Sequence, residues 1–83
     1  MVIDTSAIIA ILFGEPERET FNLKIAAASH RLISAPTLVE CSLVVESCKQ
    51  SLGRAELELF VYTAELIVVP FDQAQAELEY SKK

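Results

Sequence analysis

Residues 1–14, "MVIDTSAIIAILFG", decide the fold, because they set one carboxylate, Asp4, between two apolar runs. Met1 to Asp4 is short and β-branched and leads into a polar Thr5-Ser6 step, which reads as a buried strand entering a helix. Ala7 to Phe13 is that helix, and Gly14 ends it. A helix so apolar must be covered on several sides. Asp4 then closes the first strand. A carboxylate in such surroundings is either held by a specific partner or kept for a task.

The pattern repeats downstream. Pro16 restarts the chain in the first turn of a second helix, where Glu17 and Glu19 suit the positive end and Phe21, Ile25 and Ala28 recur at helical spacing. Arg31 to Ala35 reads as a second strand, and Pro36 opens a third helix to about Gln50, with Leu38, Cys41, Val45 and Cys48 on one stripe. Gly53 is expected to break the pattern. Ala55 to Glu65 resumes it, with Leu57, Phe60, Val61 and Ala64 on the inner face. Leu66 to Val69 is a third buried-strand candidate, and Asp72-x-x-Gln75 reads as a capping box opening a final helix that reaches the C-terminus. Short strands alternating with helices imply right-handed crossovers, hence an α/β fold with a small parallel sheet flanked by helices.

The 83 residues make at most one domain with a small core, and 52% hydrophobic against 23% charged residues is a globular composition. Twelve acids against seven bases give a net charge of -5, which excludes adhesion to nucleic acid through a basic surface; a metal held by carboxylates would offset the repulsion locally. Cys41 and Cys48 fall on one helix about 10 Å apart along its axis, too far for a disulfide. They read as reduced and structural, with no zinc signature. With no basic leader and no apolar run long enough to span a membrane, the expected location is cytoplasmic.

Ligands of open parallel sheets bind beyond the carboxyl ends of the strands. Asp4 stands there, and Thr5 and Ser6 add hydroxyls beside it. Two roles fit Asp4: capping the following helix, or holding a ligand. Glu40, in the first turns of the helix opened by Pro36, begins at the same edge, and its neighbourhood reads as largely buried. Its alternative is a dipole or salt-bridge role. An Asp and a Glu with water between them suit Mg²⁺ or Mn²⁺, hard cations that take carboxylate and water.

Val2-Ile-Asp-Thr-Ser-Ala7, Gly14-Glu-Pro-Glu17, Leu32-Ile-Ser-Ala35, Thr37-Leu-Val-Glu40 and Val69-Pro-Phe-Asp72, in this order, resemble the N-terminal part of a PIN-domain ribonuclease toxin of the VapBC type. The resemblance implies a three-layer PIN-like fold and a Mg²⁺- or Mn²⁺-dependent endoribonuclease. It also implies a dimer neutralised by a small DNA-binding antitoxin. Asp4 matches the first acid of such a site and Glu40 the second, with Ser6 and Thr5 supporting. In that chemistry the metal polarises the scissile phosphate and activates a water, leaving 5′-phosphate and 3′-hydroxyl ends. The family's remaining acids lie farther along than Lys83, so residues 1–83 are expected to be a single PIN-like domain lacking its C-terminal part. The strand bearing Asp4 would then be an open edge, which invites self-association or swapping. A second reading, from a different class, is a catalytically inactive module that keeps an antitoxin-binding or self-pairing surface.

Other acids and bases carry less. His30 has no partner in sequence and reads as a surface residue. Asp72 is occupied by its capping box. Glu46 projects away from Glu40 around the helix, and Glu56, Glu58 and Glu65 read as a solvated face. Neither cysteine has the histidine a nucleophile would use. Gly14 and Gly53 do not form a phosphate loop after the first strand.

Overall fold

A computed structural model describes residues 1–81. Four helices, α1 (Thr5–Leu12), α2 (Arg18–Ala27), α3 (Ala35–Thr63) and α4 (Gln73–Ser81), surround two strands, β1 (Leu32–Ser34) and β2 (Ile67–Val69). The strands are parallel, with Leu32 opposite Ile67, Ile33 opposite Val68 and Ser34 opposite Val69. The α/β class and the parallel sheet are as the sequence indicates. Beyond Ser81 the expected run of the last helix lies outside the described residues.

The first segment is shorter as a strand than its sequence suggests. It meets β1 through a single parallel bridge, Val2 to Leu32, fixed by Ile3 N–H to Leu32 O at 2.8 Å and Leu32 N–H to Met1 O at 2.8 Å. Helix α1 begins at Thr5, so no further residue is left to pair. Val2 has β1 on one side, and the outer side of the segment borders a cleft toward α2. β2 also departs from expectation: Ile67 and Val68 are exposed, where a buried strand was read.

Helix ends follow local rules. The first helix closes in a Schellman motif, with Gly14 at φ +65°, Glu15 N–H bonded to Ala10 O and Gly14 N–H to Ile11 O. The third closes the same way around Glu65 at φ +55°, with Leu66 N–H on Val61 O and Glu65 N–H on Tyr62 O. There a non-glycine residue takes the left-handed position. Ser34 caps α3 through Thr37 N–H, and Asp72 caps α4 by accepting from Gln75 N–H at 2.9 Å.

Helix α3 is a hairpin. Gln50 sits at φ +55°, ψ -138°, and the chain folds back there so that residues 51–63 run against residues 35–49. Leu38 and Ser42 line one groove with Leu57 and Val61, and Glu46 reaches Arg54 at 3.5 Å. The break therefore falls at Gln50, three residues before the glycine expected to make it. Gly53 is instead helical and buried: a Cβ there would stand 2.5 Å from Val45 O and 2.9 Å from Lys49 Cβ. Glycine serves close approach here, and the turn itself is left to glutamine.

The core gathers Ile3, Ala7, Ile8, Ile11, Ile25, Ile33, Cys41, Val45, Leu57 and Leu66, with Phe60, Val61 and Ala64 packed against it. Cys48, expected on the same stripe as Cys41, is exposed because the helix turns away from the core two residues later. Arg31 ties the ends of two helices together, donating to Ile25 O at 2.7 Å, Ala26 O at 3.3 Å and Ala64 O at 3.1 Å.

Candidate metal centre

Both acids singled out by sequence stand at helix entrances on the same edge of the sheet. Asp4 is the N-cap of α1, with extended backbone at φ -98°, ψ 172°. Its Oδ1 accepts from Ala7 N–H at 3.0 Å and from the Ser6 hydroxyl at 2.9 Å. The capping role is therefore real. It occupies one carboxylate oxygen, and among the described residues no donor reaches Oδ2.

Glu40 lies in the second turn of α3, brought to this edge by Ser34 and Pro36 at the helix start. The Thr5 hydroxyl donates to Glu40 Oε1 at 3.1 Å, so the residue next to Asp4 in the chain holds Glu40 in space. Glu40 Oε2 also meets no donor among the described residues. Each acid thus has one oxygen oriented by a neighbouring hydroxyl and one left for another ligand.

The surroundings of Glu40 differ from the sequence expectation. Glu40 is exposed, and so is Val39, at 58%. The apolar side of this turn is Cys41, fully buried beneath the acids. Burial pushes the Cys41 thiol above its ordinary value of 9.0; a hydrogen bond with Thr5 acts the other way, and the charges of Glu40 and Asp4 add to the rise. The thiol is neutral and senses both carboxylates. Sequence spacing alone does not reveal that proximity.

Two hard oxygen donors facing solvent fit a cation that keeps much of its water. Among the described residues no three of His, Cys, Asp and Glu gather into a metal-binding group. Asp4 and Glu40 would hold such an ion with water filling the other positions.

Lys24 was not foreseen. It lies on α2 and lines a cleft of about 190 Å³ with Met1, Val2, Ile3 and Asp4. The cleft runs along the unpaired side of the first segment and places one cation in the same cleft as Asp4. Its signal was weak: Lys24 follows Phe21 by three residues and shares its side of the helix.

The other residues considered are structural. His30 is exposed, its ring packs on Tyr80 with centroids 4.8 Å apart, and its carbonyl accepts from the N-terminal amine. Glu46 pairs with Arg54, Glu56 with Lys49 at 3.2 Å and Glu58 with Arg54 at 3.8 Å. Cys41 and Cys48 are both free thiols. No helix among the described residues is long and apolar enough to cross a membrane.

Comparison with known proteins gives a consistent result. The PIN domain family model matches residues 1–81. Ribonuclease VapC30 of Mycobacterium tuberculosis is 41% identical over 78 residues, covering 92% of this chain and 60% of that protein. Ribonuclease VapC of Mycolicibacterium smegmatis is 38% identical over 77 residues, covering 93% and 60%, and Ribonuclease VapC28 of Mycobacterium tuberculosis is 36% identical over 78, covering 94% and 59%. The chain spans about 60% of the length of these relatives.

Proposed function

This chain belongs to the PIN-domain family, and from that premise we propose that it carries the first two acids of a divalent-metal-dependent endoribonuclease, the toxin of a toxin–antitoxin pair. The observation that supports this reading most directly is the Thr5 hydrogen bond to Glu40, which links the Asp4 turn to the second acid. Helix formation alone gives no reason for that link. The names of the VapC ribonucleases that this chain resembles support the same reaction class.

Asp4 and Glu40 are the proposed metal ligands and catalytic acids. Ser6 holds Asp4, and Thr5 holds Glu40. A bound Mg²⁺ or Mn²⁺ would supply charge stabilisation on a phosphodiester and lower the pKa of a water. The chain's own part is to fix the two carboxylates and to keep their unbonded oxygens toward solvent. Lys24, in the adjoining cleft, offers a counter-charge to an RNA backbone that a net charge of -5 would otherwise repel. RNA as substrate, a cognate antitoxin as partner, a homodimer and a cytoplasmic setting complete the proposal.

The test is cleavage of RNA by the purified chain in Mg²⁺ or Mn²⁺, beside Asp4→Asn prepared in parallel, with Mn²⁺ binding followed on both proteins. Metal binding and cleavage lost together in Asp4→Asn support the proposal. Equal cleavage by both proteins, or no Mn²⁺ binding by the wild type, overturns it. Mn²⁺ bound without cleavage favours the second reading, a binding module, motivated by the two-acid donor set.

A further inference from the structure

Resting on the reading of Asp4 and Glu40 as a metal centre, we propose that Lys49 is a positioning residue of that centre. It acts from the far end of α1, by fixing the direction in which that helix presents Asp4.

The end of α1 leaves one carbonyl without its ordinary backbone donor. Leu12 is the last residue of the helix, and the residue four places on, whose N–H would take its carbonyl if the helix continued, is Pro16. The Schellman closure goes to Ala10 and Ile11 instead. Lys49 Nζ fills the gap, donating to Leu12 O at 3.0 Å. The same ammonium pairs with Glu56 of the second arm at 3.2 Å and stands 5.0 Å over the centre of the Phe13 ring. One side chain thus joins α1 to both arms of α3.

The place of this tie gives it a bearing on the acids. α1 meets the first arm of α3 through hydrogen bonds at two points, the Thr5 hydroxyl on Glu40 at one end and Lys49 on Leu12 at the other. The order is the same along both helices, so they run side by side in one direction. About 10 Å of α1 separates its two points, against about 13 Å between their partners on α3. Ile8 and Ile11 lie between the ties on α1, and Cys41 and Val45 on α3, all of them in the core.

Helices that run in one direction bring like ends of their dipoles together, and like ends repel. At the N-terminal ends Asp4 and Glu40 supply the opposing charge. At the C-terminal ends α1 has no basic residue in its own last turn, and Lys49, next to the break at Gln50, serves both helices. The acids and the lysine are two halves of one charge pattern. Without the lysine the C-terminal ends spread, α1 tilts on Thr5, and the Asp4 carboxylate turns relative to Glu40.

Mn²⁺ titration by calorimetry on Lys49→Met and Lys49→Arg tests this. Asp72→Ala, which removes the cap of α4 and touches neither tie, measures the effect of lost stability alone. Lys49→Met should bind Mn²⁺ about threefold or more weakly than the wild type. Lys49→Arg, which keeps charge and donors, should recover most of the affinity, and Asp72→Ala should match the wild type. Lys49→Gln, a donor without the charge, takes the place of Lys49→Met if that variant does not fold. The amide resonance of Ala7, which is bonded to Asp4, gives a readout without metal: it should move in Lys49→Met and stay in Asp72→Ala. If the wild type takes up no Mn²⁺, the metal-centre reading fails, and the Ala7 resonance still decides the role of Lys49. An unmoved Ala7 resonance in Lys49→Met, wild-type Mn²⁺ affinity in that variant, or an equal loss of affinity in Asp72→Ala would each overturn the proposal.

Discussion

Thr5 Oγ1 donates to Glu40 Oε1 at 3.1 Å, joining residues 35 positions apart across the entrance of two helices. That bond ties the turn that carries Asp4 to the helix that carries Glu40. Next to Glu40 in the chain, Cys41 is fully buried, so this turn of the helix carries an exposed acid beside the core.

Asp4→Asn should keep the fold and lose the ligand. Asparagine still accepts from Ala7 N–H at the N-cap, so the unfolding free energy should change by no more than about 1 kcal/mol. Mn²⁺ binding followed by calorimetry should fall below detection. A loss of fold equal to that of Asp4→Ala would assign Asp4 to capping alone.

Thr5→Val should separate orientation from charge. Both carboxylates remain, and the lost hydrogen bond costs about 1 kcal/mol of stability. Mn²⁺ affinity is expected to weaken several-fold rather than vanish, whereas Glu40→Gln should abolish it. Affinity equal to wild type in Thr5→Val would show that Glu40 needs no guide.

Gly53→Ala should destabilise the chain by about 1–3 kcal/mol, because its methyl would press on Val45 O, which is backbone and cannot step aside. Urea denaturation measures this directly. Glycine to alanine in an ordinary helix interior is stabilising, so even the sign is diagnostic.

Arg31→Met should cost about 2–3 kcal/mol, since it leaves carbonyls of Ile25, Ala26 and Ala64 without their cationic donor. Thermal unfolding followed by circular dichroism reads the loss. An Arg31→Lys variant should recover only part of it, one ammonium being unable to span all three oxygens.

The two cysteines should differ in reactivity. Cys48 is exposed, while Cys41 is buried with its thiol pushed up by desolvation. At neutral pH an alkylating reagent should modify Cys48 first and reach Cys41 only on unfolding. Mass spectrometry after timed quenching gives both rates, and equal rates would show that the layer under the acids opens readily.

Much of the architecture is written in local chemistry. Gly14 and Asp72 announce their caps without help from distant residues, and the alternation of short apolar runs with helical spacing yields the parallel sheet. That Asp4 and Glu40 stand at helix entrances was legible because each is a carboxylate set in a mainly apolar stretch just after a strand. What sequence concealed depends on partners far along the chain. The bend at Gln50 follows from packing that overrides its helical preference, and the need for a bare α-carbon at Gly53 comes from Val45 on the other arm. The exposure of Ile67 and Val68 is likewise unreadable from a β-branched run, which looks the same covered or bare. Lys24 approaches Asp4 only because α2 packs beside the first segment.

The guanidinium of Arg31 also sets a schedule for synthesis. Emerging from a ribosome, α2 presents its terminal carbonyls to Arg31 a few residues later, but the third acceptor, Ala64, and the strand that pairs with β1 follow more than thirty residues behind. Through that interval the nascent chain carries an apolar α1 with neither Leu57 nor Leu66 to cover its neighbours. Its vulnerability to proteases and to chaperone capture should therefore last at least until the segment around Ala64 clears the exit tunnel.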